Sequence, residues 1–316
     1  MATTRWDPVS LGAAVLSVLS NILYIVYFSI YATKRPHFDY QTFKQLDPEF
    51  IQVEWQFRNS YRSLELAAGL LGSLYWFFLA IPILQVAWIL SNGGKERMGI
   101  HVTVALFAIG GSLSECFARL MYIGSTNTTE WLSKDFNLDN WLGTGVDDGI
   151  GWRTLEVAHL VVSGIILWID AFEWFALAVI CTLLVVSIRL SNRDDKVSKL
   201  STCFTTGWIR LCVVLAIFSI IDFAAEILRF QSWRVFSTVA LFFSAANRLI
   251  LLPSWLFLMA KQLPLAKRIF DSNNGTVASS ENTGAELLDS VKESTRLSTD
   301  GAAGDGREVT LGSRVI

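Results

Sequence analysis

The chain has 316 residues, of which 52% are hydrophobic, 13% aromatic and only 17% charged, and its mean hydropathy is +0.43. This composition excludes an ordinary soluble domain and points to a polytopic membrane protein. A net charge of −2, with lysines and arginines gathered in connecting segments, leaves no basic field for nucleic acid.

The first apolar stretch, 11–31, is too long for a signal-peptide core and lacks a small-residue cleavage site, so it is expected to stay as a span. It carries a mild polar line through Ser17, Asn21, Tyr24 and Tyr31. Five further windows, 66–90, 99–123, 166–189, 208–229 and 236–259, each suffice for a bilayer core of about 30 Å. The predicted fold is all-α: a six-transmembrane-helix bundle over 1–262 with a disordered cytosolic tail over 263–316, poor in large apolar residues from about Asp271. Helix four reads as continuous from Thr154 to Arg189, about 54 Å, long enough to tilt or project from the membrane.

Positive charge at Lys95–Arg97, Arg189–Lys199 and Lys261–Arg268 places those segments, and both termini, in the cytosol. The loops 32–61 and 124–153 then face outward, and the sequon at Asn127 in the second is a predicted glycosylation site on that side. Trp6, Trp55, Trp88, Trp152, Trp208, Trp233 and Trp255 lie near span ends, where an indole favours the headgroup zone. Pro82 and Pro253 fall inside helices and are candidate kinks. The four cysteines, in apolar segments or at a boundary, read as small buried hydrophobes, with Cys203 open to acylation.

Two cassettes recur. Tyr61-Arg62-Ser63-Leu64-Glu65 precedes helix two and Trp152-Arg153-Thr154-Leu155-Glu156 precedes helix four; the same helices close as Trp76-Phe77-Phe78 to Leu90-Ser91-Asn92 and Trp174-Phe175-Ala176 to Leu190-Ser191-Asn192. A fainter third copy begins at Trp233-Arg234. The pattern suggests three tandem two-helix repeats in one orientation; the alternative is apolar helices sharing letters by composition.

Charge inside the spans is the feature with chemical content. An ionised side chain at a helix centre costs about 2.5–3.5 kcal/mol on insertion scales, so such groups must be paired, hydrated or used. Helix three places His101, Ser112, Glu115 and Arg119 on one stripe; helix four does so with Glu156, His159, Ser163 and Asp170, with Glu173 adjacent; helix five with Ser219, Asp222, Glu226 and Arg229; helix six with Ser237, Ser244, Asn247 and Arg248. These lines predict a polar interior bounded by helices three to six. Glu115, Asp170, Glu173, Asp222, Glu226 and Asn247 are the candidate ion-binding or proton-relaying groups, Arg119, Arg229 and Arg248 set their charge, and Glu156 with His159 form a candidate outer gate. The competing reading makes Glu115–Arg119 and Glu226–Arg229 local salt bridges that hold the bundle together; five acids against three arginines leave about two carboxylates over, with Asp170 and Asp222 the best candidates.

Retinal chemistry needs an intramembrane lysine, and every lysine lies in a loop, a boundary or the tail. No P-loop, dinucleotide fingerprint or HExxH occurs, and three scattered histidines do not build an iron site. No enzymatic activity, cofactor or resident metal is therefore expected. The expected function is transport or conduction of a small cationic or proton-coupled solute; the alternative is a non-transporting receptor or scaffold whose outer loops bind a partner. Expected partners are the lipid bilayer and the solute or ion, with a second copy of the chain or a cytosolic partner of the tail as further expectations.

Overall fold

Six helices long and apolar enough to cross a membrane form the computed structural model, which describes residues 6–34, 60–135, 150–192, 203–228 and 233–272. They are α1 (Pro8–Lys34), α2 (Arg62–Leu90), α3 (Met98–Asp135), α4 (Ile150–Ser191) and α5 (Thr206–Leu228), followed by α6 (Trp233–Ala246), a π-helical turn (Asn247–Leu251) and α7 (252–272). The sixth span is thus α6, the π turn and α7 in sequence.

Each helix packs on the next in the chain, and the π turn returns to α1, closing a ring. Neighbours run antiparallel. Ser20 and Tyr24 of α1 meet Gly72 and Gly69 of α2 in reversed order, Arg97 and His101 at the start of α3 meet Ser191 and Ser187 at the end of α4, and Cys212 and Asp222 of α5 meet Trp255 and Asn247. The α2–α3 connection manages its reversal within 91–97 by taking positive φ at Asn92, Gly93, Gly94 and Arg97.

Polarity is arranged opposite to that of a soluble protein. Leu106, Phe117, Ile217, Leu241 and Ile250 are each more than half exposed, while Glu115, Glu173, Asp222 and Asn247 are buried at 0–1%. Apolar flanks around a polar centre suit hydrocarbon outside and ion pairing inside, the architecture of a multi-pass membrane protein.

Several expected boundaries move. Residues 124–135, expected as outer loop, continue α3; α4 begins at Ile150 and spans 42 residues, or about 63 Å; and 263–272, assigned to the tail, are helical. Each extension is too polar for a hydropathy window yet free to be helical beyond the bilayer. Contacts divide the chain into a unit Met1–Lys267 and a second unit Arg268–Ile316, of which 268–272 are described. Trp208 and Trp255 are not headgroup anchors: both are fully buried and stack with centroids 5.8 Å apart, and Trp255 Nε1 donates to Cys212 Sγ at 2.9 Å. Trp88, by contrast, is 57% exposed. Cys203 is buried, which raises its thiol pKa and disfavours its acylation.

Of the two candidate kinks, Pro82 leaves α2 continuous, whereas Pro253 lies two residues past the π turn, after Leu252. Backbone accounting explains what the turn needs. The Leu252 N–H donates to the Asn247 carbonyl, one residue further back than in an α-helix, and Pro253 has no N–H to offer. The Arg248 carbonyl is thereby deprived of both backbone donors in reach, and Asn21 Nδ2 of α1 supplies the missing bond at 2.6 Å. Replacing Asn21 with leucine is expected to lower stability by about 1–3 kcal/mol, the cost of an orphaned buried carbonyl, read as a lower thermal midpoint of the purified protein.

At the ring's other seam, Asp7 caps α1 through the Ser10 N–H at 2.9 Å and its hydroxyl at 2.8 Å, accepts from Lys267 Nζ at 3.0 Å, and donates its own N–H to the Ala260 carbonyl at 2.8 Å. Burial pushes the Asp7 carboxyl pKa up, but Ser10 and Lys267 together outweigh it and hold it below the usual value. A carboxylate so depressed stabilises the fold above its unfolded pKa of about 3.9, and that contribution is lost as pH falls through the lower folded value. Asp7→Asn is therefore expected to flatten the decline of the thermal midpoint below about pH 4, while leaving its shape near neutrality unchanged.

Candidate functional site

The end of the ring that carries Asp7, the 91–97 turn and Ser191 fixes a common depth. Counting at about 1.5 Å per residue, Glu115 lies about 26 Å in from Met98, Glu173 about 27 Å from Ser191 and Asp222 about 24 Å from Thr206. Stripes predicted separately on three helices therefore arrive at one level.

What lets them meet is a pair of close backbone approaches. A Cβ on Gly111 would stand 2.8 Å from Ala176 Cβ, so α3 and α4 nearly touch one turn away from Glu115 and Glu173. On the other side, a Cβ on Gly72 would stand 2.6 Å from Arg119 Nη1 and 3.1 Å from Ser20 Oγ. The glycine opens a slot in α2 for the guanidinium.

Within this space Arg119 Nε pairs with Glu115 Oε1 at 2.5 Å, its Nη1 donates to the Tyr24 hydroxyl at 2.9 Å, and its guanidinium lies over the Tyr24 ring at 5.3 Å. Arg248, presented by the π turn, pairs with Glu173 Oε1 at 3.0 Å and lies over the Trp174 ring at 5.2 Å. Asn247 Nδ2 donates to Asp222 Oδ2 at 3.4 Å. Carboxylate oxygens of Glu115, Asp170 and Glu173 all lie within 4.8 Å of one another. Each guanidinium thus lies against the Oε1 atom of its carboxylate, Arg119 as a close ion pair without an aligned hydrogen bond and Arg248 as a hydrogen-bonded one, while Glu115 Oε2 and Glu173 Oε2 are buried with no hydrogen-bond donor. Among the described residues, Asp170 and Asp222 have no cationic side chain within ion-pairing distance.

The predicted residues are therefore gathered unevenly. Glu115, Arg119, Asp170, Glu173 and Arg248 form one cluster, with Asp222 and Asn247 paired beside it. Glu226, on the Asp222 face of α5, is half-buried. Arg229 and the Glu156 side chain lie outside the described residues, and His159 is buried in α4. His101 is an interior histidine whose Nε2 lies 3.2 Å from Ser187 Oγ, while its Nδ1 is buried without a hydrogen-bond partner. Asn127 lies in the extension of α3 rather than in a loop.

The cluster is also wider than helices three to six. Tyr24 and Ser20 come from α1, Gly72 and Tyr75 from α2. Tyr75 is 1% exposed, its hydroxyl has no hydrogen-bond partner, and its electrostatic neighbours are Glu173, Arg119, Arg248 and Glu115. A tyrosine inside an apolar run reads from sequence as core packing; only the unsatisfied hydroxyl marks it. Trp76 and Trp174, the corresponding residues of the two closing cassettes, face each other edge to plane with centroids 6.5 Å apart.

No family model, curated protein or solved structure matches the chain, so the site is read from its own chemistry. Removing Arg248 would strand Glu173 as an uncompensated buried charge, a change that typically costs about 3–5 kcal/mol. Arg248→Met is expected to destabilise on that scale, and adding Glu173→Gln to recover a large part of the loss. Thermal or denaturant unfolding of both single variants and the double variant measures the coupling.

Proposed function

We propose that the chain is a multi-pass membrane carrier or channel for a small cation or a proton-coupled solute, with the acidic cluster as its binding or relay station. The reading rests on one observation: three carboxylates from α3 and α4 lie within 4.8 Å of one another, with Asp222 nearby, against the two guanidiniums of Arg119 and Arg248. One carboxylate too many among the three calls for a mobile positive charge. In this proposal Glu115, Asp170, Glu173, Asp222 and Glu226 bind or relay the cation, Asn247 supplies a neutral oxygen, and Arg119, Arg229 and Arg248 set the charge. Glu156 and His159 guard the outer entrance, Asn127 is glycosylated, both termini are cytosolic, and three tandem helix pairs build the ring. The chain performs no covalent chemistry.

The second reading, a receptor or scaffold, is favoured by the Glu115–Arg119 and Glu173–Arg248 pairs, which satisfy half of each carboxylate without any solute. Proteoliposomes separate the two. Proton, Na⁺, K⁺, Ca²⁺ and Mn²⁺ fluxes are followed with entrapped dyes for wild type, Asp170→Asn and Asp222→Asn, with thermal midpoints measured in parallel. Transport predicts flux of at least one of these ions, cut tenfold or more in folded variants. Absence of every flux in folded wild type supports the scaffold, and undiminished flux in stable variants removes Asp170 and Asp222 from the path.

A further inference from the structure

We infer that Glu115, Asp170 and Glu173 form a binding site for a single hard divalent cation of about the size of calcium or manganese. This names the solute class for the station proposed above and rests on that reading for its transport role, though not for binding itself. It also departs from the expectation of no resident metal, which rests on the missing HExxH and the scattered histidines and does not weigh an all-carboxylate site.

Four features carry the inference. The first is donor type: the cluster offers carboxylate and phenolic oxygen only, a hard-cation set that excludes soft-metal preference. The second is size. Three oxygens that all lie within 4.8 Å of one another leave a point within about 2.8 Å of each, a distance that the flexible coordination of calcium closes with small side-chain movements, whereas magnesium demands near-ideal octahedral geometry at about 2.0–2.1 Å. The third is charge. Fully ionised, Glu115, Asp170, Glu173 and Asp222 would carry four negative charges against the two positive ones on Arg119 and Arg248, and one divalent ion would close that difference in place of protons.

The fourth feature is how the oxygens are divided. Arg119 and Arg248 each lie against the Oε1 atom of one glutamate, while Glu115 Oε2 and Glu173 Oε2 are buried and without donors. The guanidiniums act as orienting outer ligands, holding each carboxylate with one oxygen turned to the shared space. Tyr75 adds an independent sign. Its buried hydroxyl comes from a different helix, has no hydrogen-bond partner and has these same charged groups as its electrostatic surroundings. A bound ion, or a water on it, gives that hydroxyl a partner.

The test uses the full chain purified in detergent. Mn²⁺ binding is followed by loss of the free-ion electron paramagnetic resonance signal, and Ca²⁺ is added as competitor. The expected result is one Mn²⁺ per chain, displaced by Ca²⁺ in preference to Mg²⁺, with affinity reduced tenfold or more in Glu115→Gln and Asp170→Asn and by less in Tyr75→Phe. Glu96→Gln, in the turn far from the cluster, should bind as wild type does. Should the glutamine or asparagine variants not fold, the wild-type thermal midpoint still decides: Ca²⁺ should raise it saturably, and Na⁺ at equal ionic strength should not. No Mn²⁺ binding and no calcium-induced rise up to millimolar concentration, or equal Mn²⁺ affinity in folded Glu115→Gln and Asp170→Asn, overturns the inference. If monovalent or proton flux depends on Asp170 while no divalent ion binds, this inference falls and the transport reading stands. If Mn²⁺ binds in a triad-dependent way and no ion crosses the proteoliposome membrane, the site stands and the transport reading falls.

Discussion

The constraint on which the structure turns is that an ionised group inside an apolar bundle must be answered by another. Glu115 and Arg119 answer each other within α3, but Glu173 of α4 has no such partner on its own helix. Its counter-charge comes from the sixth span, on the far side of α5, through Arg248 on the π turn. One ion pair is local and the other joins two spans, so the position of the sixth span is tied to the electrostatic needs of the fourth.

That tie explains the irregular backbone at 247–251. A straight α-helix through these residues would give the Arg248 carbonyl the Leu252 N–H and need nothing from α1. The π turn spends that N–H on Asn247, Pro253 withholds the next, and Asn21 completes the set. One insertion therefore does three things: it presents Asn247 to Asp222, presents Arg248 to Glu173, and pins α1 to the seam that closes the ring. π turns inside α-helices recur at functional sites for this reason, since they re-aim side chains without ending the helix.

Much of this was legible in the sequence. Apolar windows located all six spans, because the length of hydrocarbon to be crossed is a strong constraint on composition. Helical periodicity placed Ser112, Glu115 and Arg119 on one face, and all three are buried. Periodicity gives the face of a helix but not the neighbour that it meets, so Tyr24 stood in the polar line of helix one without its partner Arg119, and the contributions of Ser20 from α1 and of Gly72 and Tyr75 from α2 were not anticipated. Trp208 and Trp255 misled for a related reason: an indole near a span end suits the headgroup zone, but two that stack on each other and reach a cysteine sulfur suit a helix interface equally well. The extension of α3 escaped because hydropathy detects the bilayer, not the helix, whereas helix four, read as continuous from Thr154 to Arg189, falls within four residues of the observed Ile150–Ser191.

The two arginines bear on how the cluster holds charge. Were both carboxylate oxygens of Glu115 and Glu173 engaged by guanidinium, the pairs would be closed and Asp170 would be an isolated acid beside a neutral wall. Instead each arginine is diverted from full bidentate contact: Arg119 gives Nη1 to Tyr24, and both guanidiniums lie over aromatic rings. Stacking stabilises the cation without using the in-plane acceptors of the carboxylate. The aromatic residues thus keep the guanidiniums buried while sparing one oxygen on each glutamate, and those spared oxygens, not the number of acids, give the triad a face open to a further positive charge.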